Sequence, residues 1–161
     1  SFSKDSLWIT SKPVAAIGCK VAIITSSYHQ EITSSLARGA ETSFLEAGGI
    51  AENCMHIQAA GAWELPILAK QVINSKNADA VIALGCIITG ETTHDQVIGY
   101  AIAHGLMQVG LECGKPVSMG VLTCQTIAQA QARSSESSSN KGREAMNAAL
   151  HTIGSLQEIN A

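Results

Sequence analysis

Four short apolar runs recur along the chain: KVAIIT (20–25), CMHIQAA (54–60), DAVIALGCII (79–88) and KPVSMGVLT (115–123). Each is followed by a segment of helical character. This alternation constrains the fold more than any other feature. A continuous apolar run suits a strand buried on both faces, and strands separated by helices pair in parallel under two helical layers. The crossovers between such strands are right-handed. Ligands of such open sheets bind in the crevice beyond the carboxyl ends of the strands. Those ends carry SSYHQ, AAGAWE, TGETTH and TCQT, where polar and aromatic residues gather.

The helical segments have recognisable limits. Ser27 with Gln30, Thr93 with Gln96 and Thr126 with Gln129 each fit the capping-box spacing. The pattern predicts a helix over 28–47, stopped by Gly48 and Gly49, and a second over 63–76 with Pro66 in its first turns, where proline is tolerated. A third runs from the GETTH segment to near Gly114, a short fourth covers 125–133, and an amphipathic fifth covers 143–159 with Ala145, Ala149, Ile153 and Leu156 near one face. A low-complexity serine loop, SSESSSNKG (134–142), separates the last two. The reading is one domain over 1–161, with residues 1–19 as an N-terminal arm. Phe2, Leu7, Trp8 and Ile9 make that arm too apolar for an inert tail. It either frays or adds a strand to a neighbour's sheet edge.

Composition narrows the functions. A net charge of −3 and few aromatics provide no footprint for nucleic acid. No apolar run approaches the roughly 20 residues of a membrane span, and no secretory leader pattern opens the chain. Five cysteines, an odd number without CxxC or other metal spacing, point to a reducing compartment, no disulfide framework and no metal. The expected location is the cytoplasm, or an organelle after processing. Cys124 follows a strand, and a nucleophilic role there would need an activating neighbour. Charged residues make up only 14% of the chain and the mean hydropathy is +0.18, so much of the surface is expected to be covered by other subunits.

GETTH (90–94) holds the densest candidate chemistry. His94, at a helix start just beyond a strand, suits proton transfer near neutral pH. Gly90, Glu91, Thr92 and Thr93 precede it, where free backbone N–H groups and the helix dipole favour an anion. The same residues also read as a simple helix cap, and the local pattern leaves both readings open. Arg133 and Lys141 could hold a phosphate or be ordinary surface cations. Trp63 and Tyr28 could cover a flat ring or be core residues. His29 also lies at a strand end, whereas His56, His104 and His151 read as structural. No GxGxxG, P-loop or HExxH is present.

Taken together, GAWELP, ALGCIITGETTH, GVLTCQTIAQAQAR and NKGREA resemble the lumazine synthases of riboflavin biosynthesis, in order and spacing, over about residues 18–158. The resemblance implies a flavodoxin-like three-layer sandwich with a four-stranded parallel sheet of order 2-1-3-4. It implies condensation of 5-amino-6-(ribitylamino)uracil with 3,4-dihydroxy-2-butanone 4-phosphate to 6,7-dimethyl-8-ribityllumazine, with no cofactor. His94 then matches the proton-moving histidine and Arg133 the phosphate-binding arginine. Gly90, Glu91 and Thr92 match the phosphate loop. Tyr28 matches the aromatic stacked on the pyrimidine. Ala62, Trp63 and Glu64 match the ribityl-binding segment, Ile87 and Ile88 the strand end beside the ring, and Lys141 a lysine near the pyrimidine. The resemblance further implies a homopentamer in which Met119, Arg133 and Lys141 reach a neighbour's site. Some members assemble twelve pentamers into a 60-subunit shell, and the uninserted loop before NKG is compatible with that.

The chain departs from the family pattern at Thr89, where many members have Arg, at Asp95-Gln96, at Met119 and in SSESSS. These departures bear on affinity and assembly more than on reaction type. A non-catalytic flavin-binding or cage-forming protein on the same fold would keep Trp63 and Tyr28 without needing His94 or Arg133. An unrelated phosphate-binding α/β enzyme would use GETTH alone.

Overall fold

The structure, a computed structural model, describes residues 1–10, 12, 16–89 and 93–161. Its elements alternate as the sequence predicts: β1 (Val21–Ser26), α1 (Gln30–Glu46), β2 (Cys54–Ala59), α2 (Leu65–Lys76), β3 (Ala80–Ile88), α3 (His94–Cys113), β4 (Val117–Cys124), α4 (Ile127–Ser134) and α5 (Lys141–Ile159). Short 3-10 turns at Ala51–Asn53 and Ala62–Glu64 precede β2 and α2. The four strands form one parallel sheet in the order β2-β1-β3-β4. This is the flavodoxin-like arrangement that the resemblance implies.

Alternation of side chains divides the core in two. Val21, Ile23, Ile82, Leu84 and Leu122 point toward α1 and α5, where they meet Leu36, Phe44, Met146 and Leu150. Ala22, Ile24, Val81, Ala83 and Val121 point toward α2 and α3, where they meet Leu65, Val72, Ile102 and Leu106. A strand buried on both sides has to be apolar at every position, which is why β1 and β3 read as unbroken runs.

The predicted helix boundaries were partly wrong, for local reasons. The first helix starts at Gln30, not Tyr28, and Ser27 does not cap it. The Ser27 hydroxyl instead donates to the carbonyl of Ala59 at 2.6 Å, continuing the β1–β2 pairing beyond Ser26 and Ala59. The Thr93–Gln96 box also fails: Thr93 occupies the cap position of α3, but its side chain makes no capping bond. Its carbonyl accepts from the amides of Gln96 and Val97, both at 3.1 Å. The third box forms in part, with the Thr126 hydroxyl accepting from the Gln129 amide at 3.2 Å. Gly114, at φ 65°, closes α3 as expected, its amide donating to Gly110 at 2.9 Å.

Helix α3 has an unusual surface. Ile102, Leu106 and Val109 face the core, yet Val97, Tyr100, Met107 and Leu111 form a second apolar stripe, 62–76% exposed, along its outer side. A helix apolar on both faces is normally enclosed. Among residues 1–10 no strand forms, and Phe2 sets its ring edge-on to Trp8 at 4.8 Å.

Candidate active site

The parallel register brings the strand ends to one side of the molecule. Ser26 lies opposite Ala59, and Ile88 opposite Cys124. At the first of these ends the chain turns sharply through His29, whose φ of 57° and ψ of 56° lie in the left-handed region. That conformation is uncommon for a residue with a side chain, and strain of this kind concentrates at functional sites. The turn leaves Tyr28 exposed rather than in the core. Its ring edge lies beside Gly61, where a Cβ would meet Tyr28 at 3.4 Å and the Glu64 carboxylate at 3.2 Å. The missing side chain therefore opens a corner between ring and carboxylate.

Ala62, Trp63 and Glu64 form the 3-10 turn that completes this corner. Ala62 packs on the α2–α3 core, Glu64 is half-buried and the Trp63 ring is exposed. The structure thus brings Tyr28 to the GAWE segment, with both aromatic rings available at the surface.

Ile87 and Ile88 end β3 half-buried and on opposite faces of the sheet, Ile87 toward α2 and α3, Ile88 toward α1 and α5. Thr89 prolongs the β3–β4 pairing: its amide donates to the Cys124 carbonyl at 2.8 Å and its hydroxyl to the same oxygen at 3.3 Å. Gly90, Glu91 and Thr92, the predicted phosphate loop, lie outside the described residues. His94 is the first residue of α3 and is exposed.

Beyond β4, the two candidate cations converge. Arg133 Nη2 lies 3.2 Å from a Glu144 carboxylate oxygen and Lys141 Nζ lies 3.7 Å from that same oxygen, while Arg133 Nε donates to the Ser139 carbonyl at 3.4 Å. Both side chains are partly exposed. Glu144 holds the two cations in register and leaves other guanidinium and ammonium protons free to donate.

The sequence reading overlooked Asn140, which is buried and builds this corner. Its amide nitrogen lies 3.0–3.2 Å from the carbonyl oxygens of Ser35, Ser134 and Ser135. Its side-chain oxygen accepts from the Arg143 amide at 3.0 Å and so caps α5. A side chain at Gly142 would collide with the backbone of Leu36 in α1. NKG is therefore a docking device: Asn140 ties the serine loop to α1, Gly142 permits close contact, and Lys141 between them in sequence turns its ammonium to Glu144. An asparagine one position before a helix was the available signal. Asn140→Ala should lower unfolding stability by about 2 kcal/mol, from lost capping and orphaned carbonyls, as read by chemical denaturation.

Met119 is not brought to the others. It lies opposite Ala83 in the first half of the edge strand β4, partly buried against the α2–α3 core. All five cysteines are free. Burial, with a smaller contribution from neighbouring Cys124, pushes the Cys86 thiol up to about 11, and burial followed by Glu41 does the same for Cys54. Neither offers a nucleophilic thiolate at neutral pH unless a bound cation displaces its proton.

A flavodoxin-like sheet with aromatic, cationic and imidazole side chains in the loops and helices that follow its strands is the setting in which α/β proteins bind small molecules. Comparison with known proteins is specific. The family profile described as 6,7-dimethyl-8-ribityllumazine synthase matches residues 18–157. A protein of that name from Deinococcus deserti is 37% identical over 144 residues, covering 89% of this chain and 92% of its own. A 6,7-dimethyl-8-ribityllumazine synthase 1 from Caulobacter vibrioides is 41% identical over 140 residues, covering 87% and 92%. One from Campylobacter lari is 38% identical over 142 residues, covering 88% and 91%. The chain belongs to the 6,7-dimethyl-8-ribityllumazine synthase family, enzymes of riboflavin biosynthesis and transferases by reaction class.

Proposed function

We propose that the chain condenses 5-amino-6-(ribitylamino)uracil with 3,4-dihydroxy-2-butanone 4-phosphate, releasing 6,7-dimethyl-8-ribityllumazine, phosphate and water, at a site completed by a second copy of itself. Family membership over nearly the whole chain carries the reaction. The pyrimidine amine attacks the butanone carbonyl and water leaves as the imine forms. Phosphate is then eliminated, and the ribitylamino nitrogen closes the second ring with loss of another water. Each step moves protons, and His94, exposed at the start of α3, has the chemistry to move them. Tyr28 and Trp63 offer ring faces for the pyrimidine, and Glu64 and Ala62 offer polar and backbone groups to the ribityl chain. Ile87 and Ile88 flank the ring. Gly90, Glu91 and Thr92 receive the phosphate at the N-terminus of α3, with Arg133 supplying a forked donor and Lys141 a point charge.

The shared site is supported by two features. Met119 lies away from the strand ends of its own chain, so it can serve a site only through a neighbour. The exposed stripe of Val97, Tyr100, Met107 and Leu111 on α3 needs a cover, and a copy of the same chain supplies one without any further partner. The closed ring that the family resemblance implies is the homopentamer. The apolar arm, residues 1–19, adds to the sheet of an adjacent copy, and assembly of pentamers into a 60-subunit shell is the larger form compatible with the short loop before Asn140. Among the described residues no helix is long and apolar enough to cross a membrane. The reducing character of five free thiols supports a cytoplasmic setting.

The deciding experiment is lumazine formation from the two substrates, corrected for the uncatalysed condensation. Rates above background establish the reaction; rates at background with retained flavin binding favour a non-catalytic flavin carrier. Sedimentation equilibrium should give the mass of five chains or a multiple of it. Leu111→Glu, which puts a charge in the α3 stripe, should shift that mass toward the single chain, and an unchanged mass would remove α3 from the interface.

A further inference from the structure

The opposite end of the sheet carries a cluster that the synthase reaction does not use. β2 is an edge strand, and its first residue, Cys54, and third residue, His56, lie two apart and therefore on one face. That face is covered by α1, which presents Glu41 at the margin of the core, next to the buried Ala40. Glu41 Oε1 lies 2.9 Å from His56 Nε2, and Cys54 Sγ lies 3.9 Å from the same nitrogen. The three ligand atoms all lie within 4.8 Å of one another.

We propose that Glu41, Cys54 and His56 form a three-ligand site for a zinc-type divalent ion, with a fourth position left for water. Zinc holds thiolate sulfur at about 2.3 Å and imidazole nitrogen or carboxylate oxygen at about 2.0–2.2 Å, so tetrahedral ligand atoms sit about 3.3–3.6 Å apart. The observed 2.9 and 3.9 Å separations bracket that spacing, and rotation of the partly exposed Glu41 and His56 side chains brings the third separation, within 4.8 Å, to it. An exposed Glu–His pair alone would be an ordinary surface contact. What distinguishes this one is the sulfur directed at the same imidazole nitrogen. Thiolate, imidazole and carboxylate together select borderline metals over magnesium or calcium, which prefer oxygen alone. The ion would join the open edge of the sheet to α1, and ligand binding of this kind raises the stability of the folded chain. The site sits at the amino end of β2, away from the loops that follow the strands, so it does not enter the condensation.

Cobalt(II) is the probe, added to the intact, chelator-treated protein. One equivalent per chain should bind, with a thiolate-to-cobalt charge-transfer band in the near ultraviolet and visible bands of tetrahedral intensity. Zinc should displace it and raise the melting temperature. Cys54→Ser should abolish the charge-transfer band. His56→Ala and Glu41→Gln, at partly exposed positions that do not threaten folding, should each weaken binding about tenfold or more while leaving synthase turnover unchanged. Absence of stoichiometric binding, a band that survives Cys54→Ser, or affinity unaffected by His56→Ala would each overturn the proposal.

Discussion

His94→Ala should lower kcat for lumazine formation by about 10²–10⁴-fold after background subtraction, with little change in KM for either substrate. The imidazole is exposed at the head of α3 and outside the core, so its loss leaves the fold intact. A proton-moving group acts in the transition state more than in binding, which is why the loss belongs in kcat. A fall in kcat/KM that resides wholly in KM would assign His94 to binding.

Arg133→Ala should have the complementary signature. KM for the four-carbon phosphate should rise by about ten- to a hundredfold, the expected cost of a lost charge-assisted hydrogen-bond pair, while KM for the pyrimidine stays nearly constant. Arg133→Lys should restore part of the loss, because an ammonium keeps the charge but not the fork. Inorganic phosphate should compete with the sugar phosphate against the wild type and more weakly against the variant. Equal increases in both KM values would indicate that Arg133 supports the serine loop through Ser139 and Glu144 rather than meeting substrate.

Much of the fold is legible in the sequence because burial on both faces of a parallel sheet writes itself as unbroken apolar runs. β1 and β3 are the clearest cases. The helix starts are less so. The spacing of Ser27 and Gln30 is that of a cap, but a strand-end hydroxyl also has the next strand's carbonyl within reach, and Ala59 takes it. Local spacing cannot weigh that competitor. The chemistry of the candidate site is legible in the GAWE, GETTH and NKG segments, whereas the approach of Tyr28 to Gly61 and Glu64 comes from packing. The supporting contacts are not legible either. Glu144 follows Lys141 by one helical turn and resembles any surface carboxylate until Arg133 folds back on it. Cys54 and His56 were visibly two apart, but their third companion, Glu41, comes from a different element and only packing introduces it.

Asn140 gives the chain's history of assembly a bearing on its chemistry. Its amide spans 105 positions to reach Ser35, and Asn147 meets the buried Ser43 across 104. Contacts this remote in sequence carry the full entropy of closing a long loop, so they are gained only when the first and last helices have met. The corner holding Arg133 and Lys141 is therefore a report on completion: a chain lacking its final helix, or still emerging from synthesis, has the aromatic corner at β1 and β2 within reach but not the cationic one. Substrate phosphate should consequently protect α1 and α5 together against hydrogen exchange.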